Sequence, residues 1–313
     1  MVKRVLEIID EQGMTGLAET IYKRTLPFRN KVRWGICANK RGWRGITDKK
    51  RVVKVIVSLT SFPARIDTVD ITVRSLLLQS LKPDKIILWL AREQFPDKEN
   101  GLPDKLLELR KYGLTIRWCS DIKSYKKLLP ALRRYPEDII VTADDDVYYE
   151  RHWLKRLYSG YEEAPNYVHC HRITKVYIKN NEYKMKEGEF EVYPFPSYLH
   201  KLTGVGGVLY PPHILNQEVL DEEKCRELAP TNDDIWFWLM AVLNGAKINV
   251  VRRNLPRVEA VKGTQEGACL NKINDGKEGL LWRDFHRMLE AYPQLDTILR
   301  GEYKELLRNN SSI

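Results

Sequence analysis

The chain has 313 residues, 43% hydrophobic and 30% charged with a formal net charge of +10, enough for one large domain or two small ones. No low-complexity tract or internal repeat interrupts it, and no apolar run approaches the about 20 residues of a membrane span; the N-terminus also lacks the hydrophobic stretch and small-residue cleavage site of a secretory signal. Five scattered cysteines (Cys37, Cys119, Cys170, Cys225 and Cys269) argue against a disulfide framework and for a reducing, cytoplasmic setting.

Residues 1–50 hold twelve Lys and Arg against five acids, so they carry +7 of the total charge. Such a surface suits an anionic membrane, nucleic acid or an anionic substrate. No nucleic-acid motif accompanies it, so a membrane surface ranks first and a plain solvated basic face second. Residues 2–10 and 17–24 read as short helices, the first with Val5, Ile8 and Ile9 on one face. Residues 34–43 mix Trp34 and Trp43 with Lys and Arg, the composition of a peripheral membrane contact. A helix docked on the main domain accounts for the same segment equally well.

From Val52 onward strands and helices alternate. Strands are expected at 52–59, 85–90, 114–119 and 139–141, and helices at 68–80, 102–112 and 125–135, the last interrupted by Pro130. This alternation implies an α/β fold with a mostly parallel, doubly wound sheet flanked by helices, on which ligands bind beyond the carboxyl ends of the strands. Two loops then face one crevice: Thr60-Ser61-Phe62-Pro63-Ala64-Arg65 and Asp144-Asp145-Asp146. In an extended chain Asp144 and Asp146 share a face and Asp145 points away. Adjacent carboxylates repel and lose hydration unless something positive sits among them, and a hard divalent cation with oxygen ligands is the natural candidate. The competing reading is an Asp-rich turn.

Further on, a helix is expected at 152–161, an extended segment at 167–178 and a polar, then aromatic and Pro-rich excursion at 180–196. Gly204, Gly206 and Gly207 fall within four positions, which lets the backbone approach a partner closely. The run has neither the Lys-Ser/Thr ending nor the dinucleotide spacing of a phosphate loop. An edge facing a sugar and a bulge without function both stay open. Thr231 or Asn232 can cap a helix whose first turn carries Asp233 and Asp234, where the dipole favours anions. Trp236 and Trp238 follow, then a final strand at 247–251 and helices at 280–292 and 297–307. His169 and His171 lie on one face of a strand, a geometry zinc can use, but without third and fourth ligands at sensible spacing. His286 is a lone helical histidine.

Taken in order, several of these residues resemble a known family. They are residues 55–65; residues 72–90 with their Leu-Gln-Ser-Leu-Lys-Pro-Asp-Lys-Ile; Asp144-Asp145-Asp146; and Asn232-Asp233-Asp234-Ile235-Trp236. The set is similar to bacterial family-2-like glycosyltransferases of the GT-A fold, over residues 52–255. The resemblance implies a GT-A domain at 51–260, between a basic appendage at 1–50 and a C-terminal helical extension at 261–313. It also implies transfer of a sugar from a UDP- or GDP-type nucleotide-sugar to a hydroxyl of a cell-surface glycan or lipid-linked acceptor.

The family's Asp-x-Asp motif maps on Asp144 and Asp146, with Asp146 the principal ligand of Mn2+ or Mg2+ and Asp144 directed to the ribose or the metal. Thr60, Ser61, Arg65, Lys127 and Asp145 fall to donor binding. Asp234 becomes the general base of an inverting reaction, with Asp233 its runner-up, and Gly206, Gly207 and Trp236 shape the acceptor site. The processive QxxRW-type motif is missing, so addition of a single sugar is expected, in the cytoplasm and at the inner face of the cell membrane. The rival readings are a sugar nucleotidyltransferase and a non-catalytic glycan-binding protein of the same fold.

Overall fold

The computed structural model describes residues 20–22, 24–187, 195–252, 258–264 and 279–310. The helix expected at 2–10, most of that at 17–24, Cys269 and residues 188–194 of the excursion lie outside them.

The central sheet has seven strands in the order β11-β6-β10-β4-β1-β2-β3. Its middle is β1 (Val55–Thr60), flanked by β2 (Lys85–Ala91) and β4 (Ile139–Ala143), with β3 (Leu114–Cys119) at one edge. The other side carries β10 (Val208–Tyr210), β6 (Val168–Cys170) and β11 (Ile248–Val250). All neighbours run parallel except β10, which is antiparallel to β4 and β6. Strands β1 and β4 are buried along almost their whole length, as continuous apolar strands covered on both faces must be. This is the mostly parallel, helix-flanked α/β sheet that the alternation implies.

Side chains alternate across each strand, so the sheet divides two cores. Val55, Val57 and Leu59 face α1 (Leu26–Ala38), α2 (Val69–Leu77) and α5 (Trp153–Glu163). Ile56 and Ile140 face the other core, built from α4 (Leu129–Arg134), α7 (Asp233–Leu243), α8 (Leu280–Ala291) and α9 (Gln294–Asn310). Two further helices are short, α3 (Asp104–Leu107) and α6 (Glu222–Leu228). The segment at 125–135 resolves into a 3-10 turn, Lys123–Lys127, followed by α4; Pro130 sits in the first turn of α4, where its missing N–H costs nothing.

One expectation changes, and one pair of alternatives is decided. The first half of the excursion is a hairpin: Asn180 and Asn181, both at positive φ, turn β7 (Ile173–Lys179) back into β8 (Glu182–Glu187). With β9 (His200–Leu202) these strands form a separate antiparallel sheet. The aromatics of residues 34–43 turn towards the domain: Trp34 and Trp43 lie 4.9 and 5.6 Å from the ring of Tyr112. Among the described residues no helix is long and apolar enough to cross a membrane.

Candidate active site

Parallel pairing of β1 with β4 sets Leu59 opposite Ala143, so continuing the register two residues brings Ser61 to Asp145. The Ser61 hydroxyl donates to Asp145 Oδ2 at 2.5 Å. Arg65, on the same loop as Ser61, donates to Asp145 Oδ1 at 2.8 Å and lies 3.1 Å from Asp146 Oδ2. Burial alone would lower the Arg65 pKa, but Asp145 and Asp146 outweigh it and raise it above the usual arginine value. Asp145 is pushed up by burial despite Arg65. Thr60 Oγ1 donates to the Trp89 carbonyl, tying the start of this loop to β2.

The alternation expected for the three aspartates does not hold, because β4 ends at Ala143 and they stand in a loop. Asp145 and Asp146 turn together to Arg65, whereas Asp144 turns to Lys127, 3.2 Å away, and keeps 27% of its side chain exposed. The loop is clamped through its backbone. Asp144 N–H donates to the Tyr149 hydroxyl, Thr72 Oγ1 donates to Asp145 O, and Val261 N–H donates to Asp146 O.

Lys127 joins the two acidic clusters. Its Nζ is 3.2 Å from Asp144 Oδ1 and 3.0 Å from Asp233 Oδ2, and its carbonyl is fixed to β1 by the Ser58 hydroxyl. Burial would lower the lysine's pKa, but Asp144, Asp233 and Asp234 hold it well above the ordinary value, so it stays charged.

Asp233 and Asp234 open α7 behind Asn232, whose side chain caps the helix by accepting from Ile235 N–H. Asp234 Oδ2 accepts from Gly204 N–H at 2.9 Å, and its Oδ1 is buried without a hydrogen-bond partner among the described residues. Burial raises its pKa; Asp233 adds to the rise, and Lys127 and Lys201 oppose it.

The acceptor-side residues fall differently from expectation. Trp236 is fully buried, with its indole N–H donating to the Val219 carbonyl, so it belongs to the core and presents no face to the crevice. The physical reason is that α7 is apolar on every side after its first turn, which is the pattern of an interior helix. Gly207, at φ +92°, has no room for a Cβ against the Trp153 ring, and a Cβ on Gly206 would meet Arg172. These two glycines are set by packing. The glycine that touches the acids is Gly204, where a Cβ would lie 2.7 Å from Asp234 Oδ1 and 3.0 Å from Lys127 Nζ.

Tyr149 thus joins the candidate site without a signal in the sequence, and Gly204, noted there only as one of three glycines, is the one of them that touches the acids. Gly204's signal was its place first in the glycine run. His169 and His171 are both fully buried and each bonds a backbone carbonyl, those of Ala164 and Trp153. Burial lowers their pKa values to about 4 and about 3. His286 is exposed and bonds the Trp282 carbonyl of its own helix.

Five carboxylates are therefore linked through Arg65 and Lys127, and Lys201 acts on one of them, Asp234, through its charge. Among the described residues no group of three or more His, Cys, Asp or Glu stands ready-made around a single metal position. The donor set is nevertheless all oxygen and in excess over the cations, which suits a hard divalent ion.

No family model matches the chain, and no curated protein does. Among solved structures it is similar to the mannosyltransferase PcManGT of Pyrobaculum calidifontis in complex with GDP-Man and Mn2+, at 13% identity and a TM-score of 0.43, over 95% of this chain and 90% of that one. It is also similar to residues 1–349 of S. aureus TarS, at 15% identity and a TM-score of 0.48, over 80% and 70% of the two chains.

Proposed function

We propose that the protein is a glycosyltransferase that moves a sugar from a UDP- or GDP-type nucleotide-sugar to a hydroxyl of a glycan or lipid-linked acceptor, with inversion. The observation that carries this reading is the single lysine, Lys127, within 3.2 Å of both acidic clusters at the carboxyl ends of β1 and β4. One cluster is tied down by cations, and the other holds a carboxylate oxygen without a hydrogen-bond partner among the described residues. That division suits a reaction with a charged leaving group on one side and a proton to be removed on the other.

Arg65 and Lys127 supply fixed positive charge beside the donor diphosphate, and Ser61 and Tyr149 keep the aspartate loop in place. Asp234 takes the acceptor proton on Oδ1, while Gly204 N–H fixes its other oxygen. Asp233 is the weaker candidate because its Oδ2 faces Lys127. Asp144 and Asp146 would hold Mn2+ or Mg2+, whose chemistry is to offset charge gathering on the departing diphosphate.

The test is product analysis with a panel of nucleotide-sugars, with and without Mn2+. Release of UDP or GDP together with a glycosylated acceptor is expected, and Asp146→Ala should lose the metal-dependent part. In a parallel assay with a nucleoside triphosphate and a sugar 1-phosphate, formation of a nucleotide-sugar with release of pyrophosphate would establish the nucleotidyltransferase instead, and donor binding without turnover in either assay the glycan-binding protein.

A further inference from the structure

Helix α1 carries an apolar ridge left exposed among the described residues. Phe28, Val32 and Ile36 recur every fourth residue and are 69%, 43% and 57% exposed, and Ile21 just before the helix is 54% exposed. The opposite side is fully used: Leu26 is buried, Asn30 donates to the Tyr149 carbonyl, and Trp34 packs on Tyr112. A solvent-facing ridge of this kind marks an interaction surface.

Its charge says what kind. Residues 20–47 contain no Asp or Glu but hold eight cations: Lys23, Arg24, Arg29, Lys31, Arg33, Lys40, Arg41 and Arg44. Beside the ridge, Arg33 lies near both Arg29 and Arg151, and its Nη1 is buried without a hydrogen-bond partner among the described residues. Burial and these two like charges lower its pKa. Together these three arginines concentrate positive charge beside the ridge, which favours an anionic surface.

We infer that α1 is a membrane-surface helix: Phe28, Val32 and Ile36 enter the headgroup boundary of an anionic phospholipid bilayer, and Arg29, Arg33 and Arg151 take lipid phosphate. A cationic helix with an apolar ridge is the composition of interfacial binding. Nucleic acid would leave the ridge without a partner, and a second copy meeting here would set these cations against one another. The helix is tied to the site loop, since Tyr22 bonds Glu150 and Tyr149, whose carbonyl holds Asn30, accepts from Asp144 N–H. A docked α1 would therefore hold the crevice at a fixed height above the lipid. The inference stands independently of the sugar-transfer reading.

The experiment is co-sedimentation of the full chain with vesicles of phosphatidylglycerol mixed with phosphatidylcholine, and with phosphatidylcholine alone. Binding to the anionic vesicles is expected, weakening with salt. Replacing the ridge in the triple variant Phe28→Ser, Val32→Ser, Ile36→Ser should cut it by about tenfold or more. The melting temperature should not fall, because these side chains are exposed. Arg33→Gln should reduce binding to anionic vesicles while leaving the ridge intact. Equal binding to both vesicle types, or a triple variant that binds like the parent, would overturn the proposal. So would a protein that ignores vesicles but forms a dimer which the triple variant abolishes.

Discussion

The two acidic clusters meet at one lysine yet are built in opposite ways. In the Asp144–Asp146 loop nearly every anionic group is answered: Ser61 and Arg65 bind Asp145, Arg65 also reaches Asp146, and Lys127 reaches Asp144. At the start of α7, Asp233 shares that lysine, and Asp234 has one oxygen fixed by Gly204 and the other without a hydrogen-bond partner among the described residues. A carboxylate whose charge is balanced and clamped is suited to holding something in place. A buried carboxylate with a raised pKa and a free oxygen is suited to taking a proton.

The largest expected effect tests that contrast. Asp234→Asn keeps the shape and the capped helix but cannot accept a proton, so transfer should drop by about 10²–10⁴-fold. Donor binding should stay close to wild type in a thermal-shift titration, because the proposed donor contacts lie on the loop side. Asp233→Asn should cost less. If Asp233→Asn alone abolishes transfer, the roles of the neighbours are exchanged.

Much of this frame was legible in the sequence. The β-branched runs ending in Thr60-Ser61 and in Asp144-Asp145-Asp146 specify parallel strands whose loops share a crevice, and the register of β1 on β4 then brings Ser61 to Asp145. What the sequence hid was side-chain direction. Alternation applies only while the chain is extended, and β4 stops one residue before the aspartates. Trp236 was read as an acceptor platform because it follows two acids. The apolar residues on all sides of α7 carried the opposite message, that of a core helix. Likewise Trp34 and Trp43 beside their cations fitted an interfacial and a docked segment equally, because the partner that decides, Tyr112, is about seventy residues away in the chain and no local pattern shows it.

Next in size is the shared lysine. Lys127 is nearly buried, and its removal leaves Asp144 and Asp233 facing each other with no cation between them. Breaking a buried pair from one side costs about 3–5 kcal/mol, so Lys127→Ala should lower the urea midpoint markedly. Asp144→Ala removes the more exposed partner and should cost less. Equal stability of Lys127→Ala and the parent would separate the two clusters electrostatically and end the description of Lys127 as their common counterion.

The smallest effect is a difference in slope. Burial raises the Asp234 pKa above the ordinary aspartate value, so between the unfolded and folded values the native state binds more protons than the unfolded one. Its contribution to stability is therefore lost as pH rises through that window. Asp145, raised in the same direction, adds to the parent's slope, so the informative quantity is the difference between the parent and Asp234→Asn. The Asn variant should show a flatter dependence on pH and be at least as stable as the parent at neutral pH, where the parent carries the buried charge. The parent's kcat/KM should run the other way, falling on acidification as the base becomes protonated. One ionisation would then weaken the fold and enable the reaction, which is what separates a proton acceptor from the clamped carboxylates of the loop. Identical stability slopes in parent and variant would show that Asp234 carries no such penalty and return it to the role of a first-turn acid favoured by the helix dipole.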